Sequence, residues 1–185
     1  MGGRGGGGGG GGVGGRRLAC LADGGGRTPA MLAARAGSLP CLRALLAAAP
    51  AAPQVAAFDA AGRCALSHAA GVGALDCAAL LLSVGARASR PDARGATPLH
   101  YAVRAAALPV ARLLLTAGAN VRARDDGGVT PLALALAEAG VAAGAGEGLA
   151  RDRAAMVVML RSWIERLAAE AGVALAEKRG ARGNA

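Results

Sequence analysis

Between Thr97 and Gly128 the chain reads TPLHYAVRAAALPVARLLLTAGANVRARDDGG, and the architecture follows from this stretch. Thr97 can cap a helix through its hydroxyl, and Pro98 suits the first helical position, where a missing N–H costs nothing. Leu99 and Ala102 then face inward at helical spacing. The triplet Leu113, Leu114, Leu115 belongs to a second, longer helix, which Gly118 closes because glycine readily adopts a left-handed conformation. The stretch therefore reads as turn, short helix, turn, longer helix, turn.

The same pattern recurs outward in both directions. An Asp, a Gly three places later and a Thr-Pro position two after that stand at Asp23-Gly26-Thr28-Pro29, Asp59-Gly62-Cys64-Ala65, Asp92-Gly95-Thr97-Pro98 and Asp125-Gly128-Thr130-Pro131. The Asp-to-Asp steps are 36, 33 and 33 residues. Leu80-Leu81-Leu82 precedes the later leucine triplet by 33 residues, and Ala44-Leu45-Leu46 precedes it in turn by 36, so the extra residues fall between Pro50 and Pro53. A fixed period of this size marks a stack of units, each exposing an apolar face that only its neighbours cover.

From about Asp23 to Leu136 these units closely resemble the ankyrin repeat. The resemblance implies an all-α repeat solenoid, an ankyrin-like stack of helix pairs joined by turn or β-hairpin tips, closed by a C-terminal capping helix. The expected organisation is a disordered glycine-rich tail over 1–15, a repeat domain over 16–176 and a basic tail over 177–185. Within the domain the units are about 23–58, 59–91, 92–124 and a divergent 125–176, with an N-terminal capping element around Arg16 to Ala22. The glycine-rich stretch Gly140 to Gly148 delays the last second helix until about Arg151. Met156, Met159, Leu160, Trp163, Ile164 and Leu167 then form one amphipathic stripe, read as the cap of the stack, with partner docking as the alternative.

Composition bounds the function. Hydrophobic content of 54% with only 2% aromatics is mainly alanine, so the area buried per residue is modest. No apolar run is long enough for a signal peptide or a membrane span, which predicts a soluble, monomeric, intracellular protein, cytoplasmic or nuclear. Cys20, Cys41, Cys64 and Cys77 lack metal-site spacing, and Cys41 and Cys77 are expected as small inward hydrophobes of the second helices. His100 can exchange a hydrogen bond with Thr97 and tie down one turn. Ser67 and His68 are adjacent on a helix and point to different faces, so they form no catalytic pair. The recurring aspartates hydrogen-bond backbone N–H groups of the turns. Neither a Walker motif nor a dinucleotide fingerprint is present. The chain is accordingly expected to be no enzyme, with no cofactor, metal or catalytic residues.

Recognition remains. In ankyrin repeats the turn tips and first helices form a concave surface that binds other proteins, which carries over here to Phe58, Arg63, Arg90, Arg94, Arg124 and Asp126 of the turns and to Tyr101 and Arg104 of the first helices. Arginine dominates, and guanidinium groups pair bidentately with carboxylates, so the expected partner is a protein with an acidic surface. The arginine excess also fits simple compositional bias, since all basic residues but Lys178 are arginine in a chain of net charge +9. Nucleic acid or another polyanion is the alternative, prompted by a pI near 11.1. Against it stand a single RGG-like element at Gly3 to Gly6 and aromatics too scattered for base stacking.

Overall fold

A computed structural model describes residues 22–48, 51–141 and 147–182, and all regular structure among them is helical. The helices are α1 (Pro29–Arg35), α2 (Leu39–Ala48), α3 (Ala51–Ala56), α4 (Ala65–Val72), α5 (Leu75–Ser83), α6 (Pro98–Arg104), α7 (Leu108–Thr116), α8 (Pro131–Val141) and α9 (Glu147–Arg182). The glycine-rich tail and most of the expected N-terminal capping element lie outside the described residues.

Local chemistry sets where each first helix begins. Thr28 Oγ1 accepts from the Met31 N–H at 3.4 Å, and Pro29 follows it at the first helical position. Thr130 Oγ1 likewise accepts from the Ala133 N–H at 3.2 Å. In the third unit the Thr97 N–H donates to His100 Nδ1 at 3.1 Å, and the Thr97 hydroxyl lies 2.9 Å from the same nitrogen. That nitrogen is an acceptor, so the ring proton sits on Nε2, where it reaches the Val129 carbonyl 3.1 Å away in the next tip. His100 therefore fastens its own turn and the following unit together. Cys64 opens the second unit with no side-chain cap.

The first helices α1, α4, α6 and α8 pack side by side as one row; α2, α5 and α7 form the second row, with α9 lying on α8 and α7. Alanines at equivalent places in the first helices, Ala33, Ala69, Ala102 and Ala135, are all buried, which lets neighbouring helices approach closely. Leu66, Leu81, Leu99 and Leu114 fill the space between the rows and are essentially inaccessible.

Several expectations change in detail. The tips contain no strand among the described residues; each is a tight turn closed by two backbone bonds, such as Asp59 N–H to the Arg63 carbonyl at 3.0 Å and Gly62 N–H to the Asp59 carbonyl at 2.8 Å. The surplus residues between Pro50 and Pro53 lie at the start of an additional short helix, α3. Cys41 is exposed although the equivalent Cys77 is buried, because among the described residues α2 has a second-row neighbour on one side only. The last helix begins at Glu147 rather than about Arg151 and continues across the 176/177 boundary to Arg182. Of its apolar stripe, Met156 and Leu160 are fully buried, while Met159, Trp163 and Ile164 pack partly against the core. Leu167 is exposed. The stripe covers the end of the stack over its N-terminal half.

Candidate protein-binding surface

The tips are built around their aspartates. Asp59 Oδ1 accepts from the Ala61 and Arg63 N–H groups at 3.0 and 2.9 Å, and Asp92 Oδ1 accepts from Arg94 and Ala96 at 2.8 and 2.9 Å. Asp23 repeats this with Gly25 and Arg27, and Asp125 with Val129. These carboxylates hold turns. Their spacing places them in successive tips rather than in one reaction centre, and among the described residues no group of acidic, His or Cys side chains is arranged to hold a metal ion.

Backbone hydrogen bonds link each tip to the next. The Ala60 N–H donates to the Gly25 carbonyl at 2.9 Å, Ala93 to Ala61 at 3.1 Å and Asp126 to Arg94 at 2.9 Å. The glycine at the base of each turn takes a left-handed φ, and in the first three turns the next tip also leaves no easy room for a Cβ. Gly62 has φ +75°, and a Cβ there would stand 2.5 Å from the Ala93 nitrogen of the next tip. The result is one continuous ridge.

Side chains of the first helices lock onto this ridge from the inner side. His68 Nε2 lies 3.0 Å from Asp59 Oδ2, and at the equivalent place one unit later the Tyr101 hydroxyl donates to Asp92 Oδ2. Burial lowers the His68 pKa, outweighing the opposing pull of Asp59, and Arg63 and Arg35 add to the lowering. For Asp59, burial raises the pKa, but the Arg63 backbone N–H with the Arg63 and His68 side chains outweighs it and holds the carboxyl below the usual range. Burial and the Asp92 carboxylate push Tyr101 up to about 12.

The eight residues expected to meet a partner fall into three settings. Arg63 is clasped to Asp59, its Nη2 2.8 Å from Oδ2, and lines an inner groove of about 200 Å³ with Arg35, His68, Gly71 and Tyr101. Arg90 stacks on the ring of Phe58, its guanidinium carbon 3.9 Å from the ring centre, and borders a separate cavity with Val55, Ala56 and Arg87. Arg94, Arg104, Arg124 and Asp126 are exposed. The structure thus does not bring all eight to one patch. Arg63 in particular is part of the scaffold, unlike the solvent-facing residue its place beside the turn suggests. Arg35, absent from that set, belongs to the inner groove; its equivalence to Arg104 in the repeat register is the signal that finds it.

Tips hydrogen-bonded in series and first helices in a single row are the geometry that a repeat of this type requires, and family comparison agrees. A family model described as ankyrin repeats (3 copies) matches residues 16–92, and one described as ankyrin repeats (many copies) matches residues 81–135. This is an ankyrin-repeat protein. No curated protein matches the chain. Ankyrin repeats are generally protein–protein interaction modules and generally non-catalytic. In this ankyrin-repeat chain no described helix is long and apolar enough to cross a membrane.

Proposed function

We propose that the protein binds a partner protein with an acidic face through the concave side of the stack, the ridge of tips together with the row of first helices, and that it acts as a non-catalytic module or adaptor. One observation carries this reading. The turn aspartates spend their carboxylates inside the molecule on backbone N–H groups, whereas Arg94, Arg104 and Arg124 are exposed and have no ion-pair partner among the described residues. The surface therefore presents guanidinium donors in excess over available carboxylates, and these form short, charge-assisted bidentate pairs with acidic side chains. The ridge and the row of first helices hold the backbones of these donors in fixed register, which limits the ordering cost of binding.

The test is affinity capture from cell extract with the full chain as bait, comparing Arg94→Ala/Arg104→Ala/Arg124→Ala with Arg43→Ala/Arg112→Ala on the second helices. The reading expects capture to fail only with the first set. Equal losses from both sets, or retention on heparin and DNA that falls steeply with salt for both, would instead indicate general polyanion binding.

A further inference from the structure

Across the first three units, Arg35, Gly71 and Arg104 occupy the same place near the end of the first helix. The inner row therefore carries a guanidinium, then a gap, then a guanidinium. The gap is real: Gly71 is exposed, and a Cβ built there would reach only ordinary contact with the Tyr101 ring, 3.7 Å from Cδ1. Without a side chain at 71 the face of Tyr101 stays open as the floor of the inner groove, whose walls are Arg35, Arg63, Ser67, His68 and Val72. The anions nearest this floor are already engaged, Asp59 by Arg63 and His68, and Asp92 by Tyr101 and two backbone N–H groups. Arg35 and Arg104 have no ion-pair partner among the described residues. Basic residues also offset the partial negative charge at a helix end. Gly71 shows that the second unit does without this, so the interruption of the row calls for its own explanation.

We propose that this face docks an extended segment of the partner protein carrying two carboxylates, one received by Arg35 and one by Arg104, while the residues between them cross Gly71 and rest on Tyr101. The inference rests on the concave reading above and specifies its ligand. Spacing follows from packing: adjacent helices lie about 8–10 Å apart, so two steps along the row span roughly 16–20 Å. An extended chain advances about 3.3–3.6 Å per residue, which places the two acidic residues about five apart. A residue with a long side chain at 71 would fill the crossing point.

Fluorescence polarisation with labelled peptides tests this. The probes are a Gly/Ser/Ala peptide with two glutamates about five residues apart, the same composition with the glutamates adjacent, and a version with glutamine in their place. The full chain is expected to bind the spaced peptide at least about tenfold more tightly than either of the others. Arg35→Ala and Arg104→Ala should each remove that preference. Gly71→Leu should remove it too without lowering the melting temperature, because leucine is the better helix former at an exposed helical site. Gly71→Ala, which adds only a methyl at ordinary contact distance, should retain it. Equal affinity for spaced and adjacent glutamates, undiminished binding by Gly71→Leu, or no binding of any probe would overturn the proposal. Such a failure leaves the broader reading standing if the capture experiment still separates the two arginine sets.

Discussion

The second unit starts its first helix with Cys64-Ala65 where the other units have Thr-Pro, and the double change Cys64→Thr/Ala65→Pro should stabilise the protein. The backbone is ready for it. Cys64 has φ −93° and ψ 171°, close to Thr28 at −78° and 159° and to Thr97 at −89° and 165°. This extended conformation is also the one a residue preceding proline prefers. A threonine cap contributes about 1 kcal/mol over an uncapped helix start. A proline whose φ is already satisfied adds about 0.4–1 kcal/mol by restricting the unfolded chain. The Cys64 Sγ to Ser67 Oγ contact at 3.4 Å would be lost, but a thiol is a weak hydrogen-bonding group and the offset is small. The sum is about 1.5 kcal/mol, and a domain of this size gains about 2–4 °C per kcal/mol, so thermal melting followed by circular dichroism should rise by about 3–6 °C. The reverse change, Thr97→Cys/Pro98→Ala, should lower it by a similar or larger amount, since His100 also loses a hydroxyl partner. An unchanged or lower midpoint for the forward variant would show that the helix start is not the weak point of the second unit.

Truncating Leu114 to Ala, at a site with no solvent exposure, should cost about 2–5 kcal/mol in urea unfolding, and Leu113→Ala, only partly buried, distinctly less. Gly62→Ala and Gly128→Ala impose the same left-handed strain, but only Gly62 faces a following tip, so Gly62→Ala should be the more destabilising and the difference measures the tip contact. Because His68 is held below its ordinary 6.5, the unfolded chain takes up that proton first, and stability should fall as pH drops below about 6.5. His68→Tyr, copying Tyr101, should flatten urea midpoints between pH 7.5 and 5.5; an unaltered slope would assign the dependence elsewhere.

The periodic framework was legible because its causes are local. Thr and Pro at helix starts, aspartates in turns and leucines at the centre of second helices act through near neighbours in sequence, and Leu81 and Leu114 are buried as their register requires. The surface was harder to read. Arg63 and Arg94 look alike beside their turns, yet Arg63 has Asp59 four residues before it as a clasp, a pairing that Arg27 and Asp23 repeat. The stacking of Arg90 on Phe58 joins two tips and has no local signature. Ala106 is instructive in the other direction. It takes φ +52° where Gly37 and Gly73 stand in the first two units, so the repeat itself dictates the conformation and overrides what alanine prefers.

Because the rungs between tips run only through backbone N–H and carbonyl groups, they place no demand on the side chains of the residues that form them. Ala60, Ala61, Ala93, Arg94 and Asp126 hold the ridge together and at the same time point outward as exposed positions. Cohesion and readout are thus written on the same residues in two independent alphabets, main chain and side chain. A new specificity can be written into the second while the first is left as it stands, which makes these tips the natural place to reprogram the molecule.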